Sequence, residues 1–372
     1  MKKATQAVHA GKRHSVNQGG VVTPIFMSTA ISYMDDSEVR YPRYFNTINS
    51  QVTADKLACL EESEAAIVTS SGMGAISSVM LALLKPGDHV VVLEGLYGGS
   101  HALVLEEFQR LGIEWSFVAA DPDSMRSAFQ PNSRMVYVES PTNPLLRVLN
   151  LKEVASLAKS NRAISVIDGT FATPILQNPI ALGFDIVLHS GTKYLGGHSD
   201  LCCGVVAGNE ININKVRNTA ITYGTSLNAQ DCALLERSLQ TLELRVMRQS
   251  ENALVIAQAM EKHPLVRKVN YPGLAAHPQH EIARRQMRAF GGMLSFELDE
   301  SIEVESYLRN LNLIGCAVSL GGVESTICQP VATSHMKMPE QERQRLGITP
   351  RLLRLSVGIE DPQDLLEDLL PG

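Results

Sequence analysis

No stretch of the 372 residues approaches the ~18–20 consecutive apolar residues that cross a bilayer. The start, MKKATQAVHAGKRH, has basic residues with no apolar run behind them, so it does not read as a secretory leader. Positive charge is not in excess: 33 Lys and Arg face 39 Asp and Glu, a net −6, which argues against a nucleic-acid binder. No C-x-x-C occurs. The six cysteines (Cys59, Cys202, Cys203, Cys232, Cys316 and Cys328) are expected to be reduced and mostly buried, as in a cytoplasmic protein. No His, Cys, Asp or Glu set has metal-ligand spacing, so no metal site is expected; His198 in particular reads as structural. Internal repeats and low-complexity segments are absent. Nucleotide fingerprints are missing too. There is no G-x-x-x-x-G-K-[ST], and the third glycine of a G-x-G-x-x-G that starts at Gly72 falls on Ser77.

What is present is a chain built to fold. Apolar residues make up 44% and charged residues 19%, which excludes a disordered or coiled-coil chain. The length suggests two to three domains, burying about three-quarters of the surface that the unfolded chain exposes. The first ~45 residues are polar and turn-rich. Within them Arg40 to Asn46 pack three aromatics and two arginines together, either as an arm reaching a partner or as a loop on its own domain.

From Ala65 to Gly208, seven short β-rich apolar runs alternate with segments of helical spacing: AAIVTS, HVVVLE, EWSFVA, MVYVES, ISVID, DIVLHS and GVVAG. Helices are expected over Met73–Leu84, Ser100–Arg110 and Leu151–Lys159, the last with Leu151, Val154, Leu157 and Ala158 on one face. That pattern is α/β: a largely parallel sheet with helices on both faces, whose functional residues gather at the carboxyl ends of strands. After Tyr223 the pattern changes to α+β. One long helix is expected from Asn228 or Ala229 to Glu261. Strands MLSFEL, CAVSL and LLRLSVG follow, with helices over Val304–Leu311 and Gln363–Leu370. The domains are expected at 51–228 and 229–372, with 1–50 as an N-terminal arm.

Several strand ends carry chemistry. Ser71-Gly72-Met73-Gly74 opens a helix, where small residues and the helix dipole suit an anion such as phosphate, or simply a helix start. Asp168 ends ISVID, as a carboxylate partner or as a turn former. Lys193 follows Ser190 and Thr192 in a glycine-rich turn after DIVLHS. A desolvated lysine there is a nucleophile toward carbonyls, and the two hydroxyls suit a phosphate. Tyr97, between glycines, presents a ring that either stacks on a flat ligand or joins the core. Asn143 lies between Pro141 and Pro144 at the same sheet edge. A phosphate cradle, an acid, an amine and a stacking ring are together what pyridoxal 5'-phosphate asks of a protein.

With these residues in view the chain resembles the pyridoxal-phosphate-dependent transsulfuration family of cystathionine γ-synthases, cystathionine γ- and β-lyases and methionine γ-lyases. The stretches that carry the resemblance are TPIF, YPRYFN, SSGMGAI, LYGG, VESPTNP, VIDGTFATP, HSGTKYLGGHSD, YPGL, VSLGGVES and LLRLSVGIED, in order along nearly the whole chain. It implies the aspartate-aminotransferase-like fold (type I) with a seven-stranded central sheet and a smaller C-terminal domain. It also implies a homotetramer, a dimer of dimers with shared sites.

By the same resemblance, Lys193 matches the lysine that joins the cofactor aldehyde and moves protons. Asp168 matches the acid on the pyridine nitrogen, and Tyr97 the stacked ring that also acts as acid and base. Gly72, Met73, Ser190 and Thr192 match the phosphate site. Tyr41 and Arg43 match the pair that reaches the phosphate of the neighbouring subunit. Asn143, Ser319 and Arg354 match the surroundings of the substrate, Arg354 gripping its α-carboxylate.

Four departures from the family pattern stand out: Asn46-Thr47-Ile48 for the usual Asn-Pro-Thr, Gly169 for an asparagine beside the cofactor, Gly99 for the cysteine of methionine γ-lyases, and Val318 for the glutamate of cystathionine γ-synthases and γ-lyases. Val318 suits a shorter or less polar substrate side chain. The resemblance implies a carbon–sulfur lyase acting by γ- or β-elimination on a sulfur amino acid, giving a keto acid, ammonia and a thiol. γ-Replacement on an O-acylhomoserine is the alternative, and a catalytically silent binding subunit the remote one.

Overall fold

A computed structural model describes residues 1–12, 19–34, 38–336 and 338–370, so parts of the expected N-terminal arm lie outside the described residues. All seven expected strands form one sheet: β1 (Ala65–Thr69), β2 (His89–Leu93), β3 (Glu114–Val118), β4 (Ser133–Glu139), β5 (Ile164–Asp168), β6 (Ile186–Ser190) and β7 (Gly204–Gly208). Their order is β1-β7-β6-β5-β4-β2-β3. Neighbours from β6 through β3 are parallel, whereas β7 is antiparallel to both β6 and β1. The segment 191–203 between β6 and β7 forms turns and no helix, so the chain returns antiparallel.

Strand β2 is buried along its whole length, as a strand covered on both faces must be. The helix Leu151–Ser160 buries Leu151, Val154, Ala155 and Ala158, with Leu157 only half-buried. Fully buried side chains of the Leu or Val type each stabilise by roughly 1.5–3 kcal/mol, and one continuous apolar cluster runs under this sheet. The expected helix near Ser100 is present, but its middle, Leu103–Phe108, widens into a π-type turn.

A second sheet orders β10 (Gly315–Cys316), β11 (Thr326–Cys328), β12 (Leu352–Ser356), β9 (Met293–Leu298) and β8 (Val266–Asn270), with its own apolar cluster. Among the described residues no helix is long and apolar enough to cross a membrane.

Four expectations are corrected. The long helix after Asn228 is two helices, Ala229–Leu239 and Leu242–Met260. Arg245 explains the break: its buried guanidinium donates to the carbonyls of Ser238 and Tyr194, each at 2.8 Å, taking up a helical acceptor at the junction. The strand expected at CAVSL ends at Cys316, because Ser319 and Gly321 take positive φ and turn the chain into the site described below. The start of the chain is not all turn, since Lys3–His9 is helical and buries Ala7. Finally, the cysteines are free but not mostly hidden: Cys203, Cys232 and Cys328 are buried, Cys59 is half-buried, and Cys202 and Cys316 are exposed.

Candidate active site

The carboxyl ends of β1, β4, β5 and β6 meet the loop after Cys316 and strand β12 around one cavity of about 550 Å³. Ser71, Gly72, Met73, Tyr97, Asn143, Asp168, Ser190, Thr192, Lys193, Val318, Ser319 and Arg354 all line it, so the fold brings together twelve expected residues from seven separated segments.

At one end lies the start of the helix Gly72–Leu83. Ser71 caps it, its hydroxyl accepting from the Gly74 N–H at 2.9 Å. The N–H groups of Gly72 and Met73 have no partner among the described residues, which leaves two donors open at the positive end of the helix dipole. Ser190 stands directly over this turn: a Cβ added to Gly72 would lie 2.8 Å from the Ser190 Cβ, so only glycine admits the approach. Thr192 exchanges hydrogen bonds with the backbone of Cys203, donating at 3.2 Å and accepting at 3.1 Å, which fixes the turn ahead of Lys193.

Lys193 donates to the Ser319 hydroxyl at 2.7 Å. Burial, and then the nearby Arg354 cation, lower its pKa, so a neutral amine is more accessible than on a solvated lysine. Asp168 and Glu139 end adjacent strands in register. Burial raises both carboxyls, Glu139 to about 8 with Asp168 as its second cause, while the bonds from Thr170 oppose the rise at Asp168. The Thr170 N–H donates to Asp168 Oδ1 at 2.9 Å, and the Thr170 hydroxyl accepts from the Ser190 N–H at 2.8 Å, tying the ends of β5 and β6 together.

Arg354 is 5% exposed and has no carboxylate within ion-pair distance among the described residues. It donates from one Nη to Asn143 Oδ1 at 3.0 Å and from the other to the Ser319 carbonyl at 3.1 Å, while its buried Nε has no partner among the described residues. A buried cation with an orphaned donor suits a ligand carboxylate. Tyr97 is 44% exposed, and its N–H donates to Glu139 Oε2 at 3.1 Å.

Sequence reasoning missed Glu139 and Thr170. Glu139 accepts from the N–H groups of both Tyr97 and Asn143, at 3.1 and 2.7 Å, and so sets the two loops that carry the ring and the amide. Its place at the end of MVYVES was the available signal. Gly169 does not line the cavity, contrary to expectation: it faces His189 below the floor. Tyr41 and Arg43 lie outside the cavity of their own chain, where the Arg43 guanidinium donates to the Ile221 carbonyl at 2.7 Å. His198 bonds the Gly196 carbonyl at 2.7 Å within its own turn.

Comparison with known proteins agrees with this geometry. The chain is 40% identical over 384 residues to L-methionine gamma-lyase of Fusobacterium nucleatum subsp. polymorphum, covering 99% of this chain and 97% of the relative. It is 43% identical over 374 residues to cystathionine beta-lyase of Coxiella burnetii, covering 98% and 96%. A crystal structure of cystathionine gamma-lyase from Lactobacillus plantarum superposes with a TM-score of 0.96 at 35% identity, covering 99% of this chain and 97% of that one. The type I fold implied by the sequence is the fold of the chain. The family described as Cys/Met metabolism PLP-dependent enzyme matches residues 4–372, and the chain belongs to that family.

Proposed function

We propose that this chain binds pyridoxal 5'-phosphate in the cavity and cleaves the carbon–sulfur bond of a sulfur amino acid by γ- or β-elimination. The observation that carries the reading is the pairing, inside one cavity, of the Lys193 amine of lowered pKa with the buried, carboxylate-free Arg354 fork. The donor set fits the group: the open N–H groups of Gly72 and Met73 with the Ser190 and Thr192 hydroxyls for the phosphate, Lys193 for the aldehyde, and Asp168 for the ring nitrogen. When bound, pyridoxal phosphate supplies an electron sink for the α-carbon of an amino acid.

The residues then divide the work. Arg354 binds the substrate α-carboxylate and, through its bonds to Asn143 and the Ser319 carbonyl, fixes its orientation. Lys193 Nζ takes the α-proton and returns it elsewhere on the substrate, with Ser319 holding the amine in place. The Tyr97 hydroxyl, at the open side of the cavity, carries the proton that the leaving sulfur needs. The thiol departs with that proton, and water converts the remaining enamine to a keto acid and ammonia.

Beyond Ser319 the cavity opens past Val318 (69% exposed) and Met336, and among the described residues its only lining carboxylates, Glu139 and Asp168, are at the buried end. Among the described residues of one chain a distal ammonium therefore finds no carboxylate, which favours a short or apolar thioether side chain.

The arm reading rests on exposure. Val21, Val22, Ile25, Met27, Tyr33 and Met34 are all exposed apolar residues in the segment before Tyr41. Such a run favours cover from a second copy, with Tyr41 and Arg43 reaching the neighbouring phosphate site. The assembly proposed is a homotetramer of two such dimers in the cytoplasm, each chain divided into 51–228 and 229–372 behind the arm.

The test is identification of the keto acid released from L-cystathionine and from L-methionine by the purified protein with pyridoxal phosphate and no thiol acceptor. From cystathionine, 2-oxobutanoate marks γ-elimination and pyruvate β-elimination. No keto acid from either substrate overturns the elimination reading in favour of γ-replacement.

A further inference from the structure

Below the floor of the cavity lies an ionisable pair that none of the steps above uses. His189, the residue before Ser190 on β6, meets Glu61 at the end of the helix Ile48–Glu61, with Nε2 and Oε1 2.5 Å apart. The residues are 1% and 0% exposed. The other atoms of each group, His189 Nδ1 and Glu61 Oε2, have no partner among the described residues. Burying such a pair costs several kcal/mol of desolvation, and apolar side chains of similar volume commonly stabilise as well or better. Fold stability is therefore a poor reason for its presence.

Its position supplies a better one. Leu188 is the residue of β6 in register with Asp168, so His189 sits one step further along the strand, against the backbone that follows Asp168. The contact is close: a Cβ on Gly169 would lie 2.9 Å from Cε1 of the imidazole. Asp168 also has Glu139 in register on its other side. Two buried carboxyls side by side resist joint ionisation. Two basic side chains oppose that resistance, Arg354 acting on Glu139 and His189 acting on Asp168. Two carboxyls thus flank the imidazole, Glu61 in direct contact and Asp168 one register step away on the neighbouring strand.

We propose that Glu61 and His189 form a charged positioning pair that holds Asp168 ionised from behind the sheet, so that Asp168 can keep a bound pyridine nitrogen protonated. The inference rests on the cofactor reading given above. His189 touches neither substrate nor cofactor; it acts through Asp168.

Two measurements test it. In the cofactor-free protein, the ¹⁵N NMR spectrum of labelled histidine should show both His189 ring nitrogens protonated at neutral pH; one unprotonated nitrogen overturns the proposal whatever the variants do. With ¹⁵N-labelled pyridoxal phosphate bound, the pyridine nitrogen should read as protonated in the native protein and move toward the unprotonated shift in His189→Gln and Glu61→Gln. Cofactor affinity should weaken about tenfold, the equivalent of one pKa unit at Asp168. An unchanged pyridine shift and affinity in folded variants overturns the proposal. Failure of the native protein to bind the cofactor at all would instead sink the reading of the site, a result that the histidine spectrum distinguishes.

Discussion

Lys193 Nζ lies 2.7 Å from the hydroxyl of Ser319, a residue held at φ +78°. Non-glycine residues avoid that region, at a cost of order 1–3 kcal/mol that the surroundings must offset. Here the Arg354 guanidinium binds the Ser319 carbonyl at 3.1 Å, so one side chain of the second sheet fixes both the strained turn and, through it, the amine of the first. The two sheets meet chemically at Ser319.

Lys193→Ala should remove the visible absorption band of the cofactor-loaded protein and lower turnover by about 10³-fold or more. Absorbance of the dialysed holoprotein and the rate of keto-acid release are the readouts. Turnover at the native rate would sink the assignment of the amine.

Arg354→Ala should raise KM by about ten- to a hundredfold, the loss of one charge-assisted contact to a carboxylate. Cofactor absorbance should persist if Arg354 binds the substrate, as proposed. Arg354→Lys should recover only part of the loss, since an ammonium cannot reproduce a fork that also holds Asn143 and Ser319.

If Tyr41 and Arg43 complete the site of a second copy, Tyr41→Ala with Arg43→Ala should weaken cofactor binding. At a cofactor concentration that leaves that variant largely unloaded, mixing it with Lys193→Ala should regain activity, because a hybrid dimer contains one intact site. Mixed samples that stay inactive after subunit exchange, followed by size analysis, would count against a shared site.

Glu139→Gln should flatten the pH dependence of apoprotein stability between about pH 5 and 8. The folded pKa of Glu139 is raised to about 8 from an ordinary 4.5. Between those values the folded state binds more protons, so its stabilising contribution is complete below 4.5 and is lost as pH rises through 8. Melting temperatures across that range for native and variant proteins decide it; parallel curves would refute the shift.

Gly99→Ala should lower kcat by up to about 10²-fold while leaving the melting temperature nearly unchanged. The added Cβ would lie 2.6 Å from Tyr97 Cε1 and 2.8 Å from Met73 Sδ, so the ring must move. In a Tyr97→Phe background the same substitution should add little, since both changes act on one hydroxyl. Additive losses would show that Gly99 acts elsewhere.

The sequence by itself determined the seven strands, because each is a short, continuous apolar run with a sharp polar end, and it pointed to the strand-end residues that the fold gathers around one cavity. Lys193, Asp168 and the Ser71–Gly74 turn are legible for the same reason: each ends or closely follows its strand. Tertiary structure decided what depends on partners far away in sequence. The helix break after Leu239 comes from Arg245 reaching Tyr194, 51 residues earlier, and local helical spacing carries no trace of it. Glu139 reads as the end of a strand until its two oxygens are seen holding the Tyr97 and Asn143 loops. Gly169 reads as a gap beside the ligand until His189 is found filling the space below it. Periodicity records which face of an element is buried; only the fold records which ionisable groups that burial places side by side.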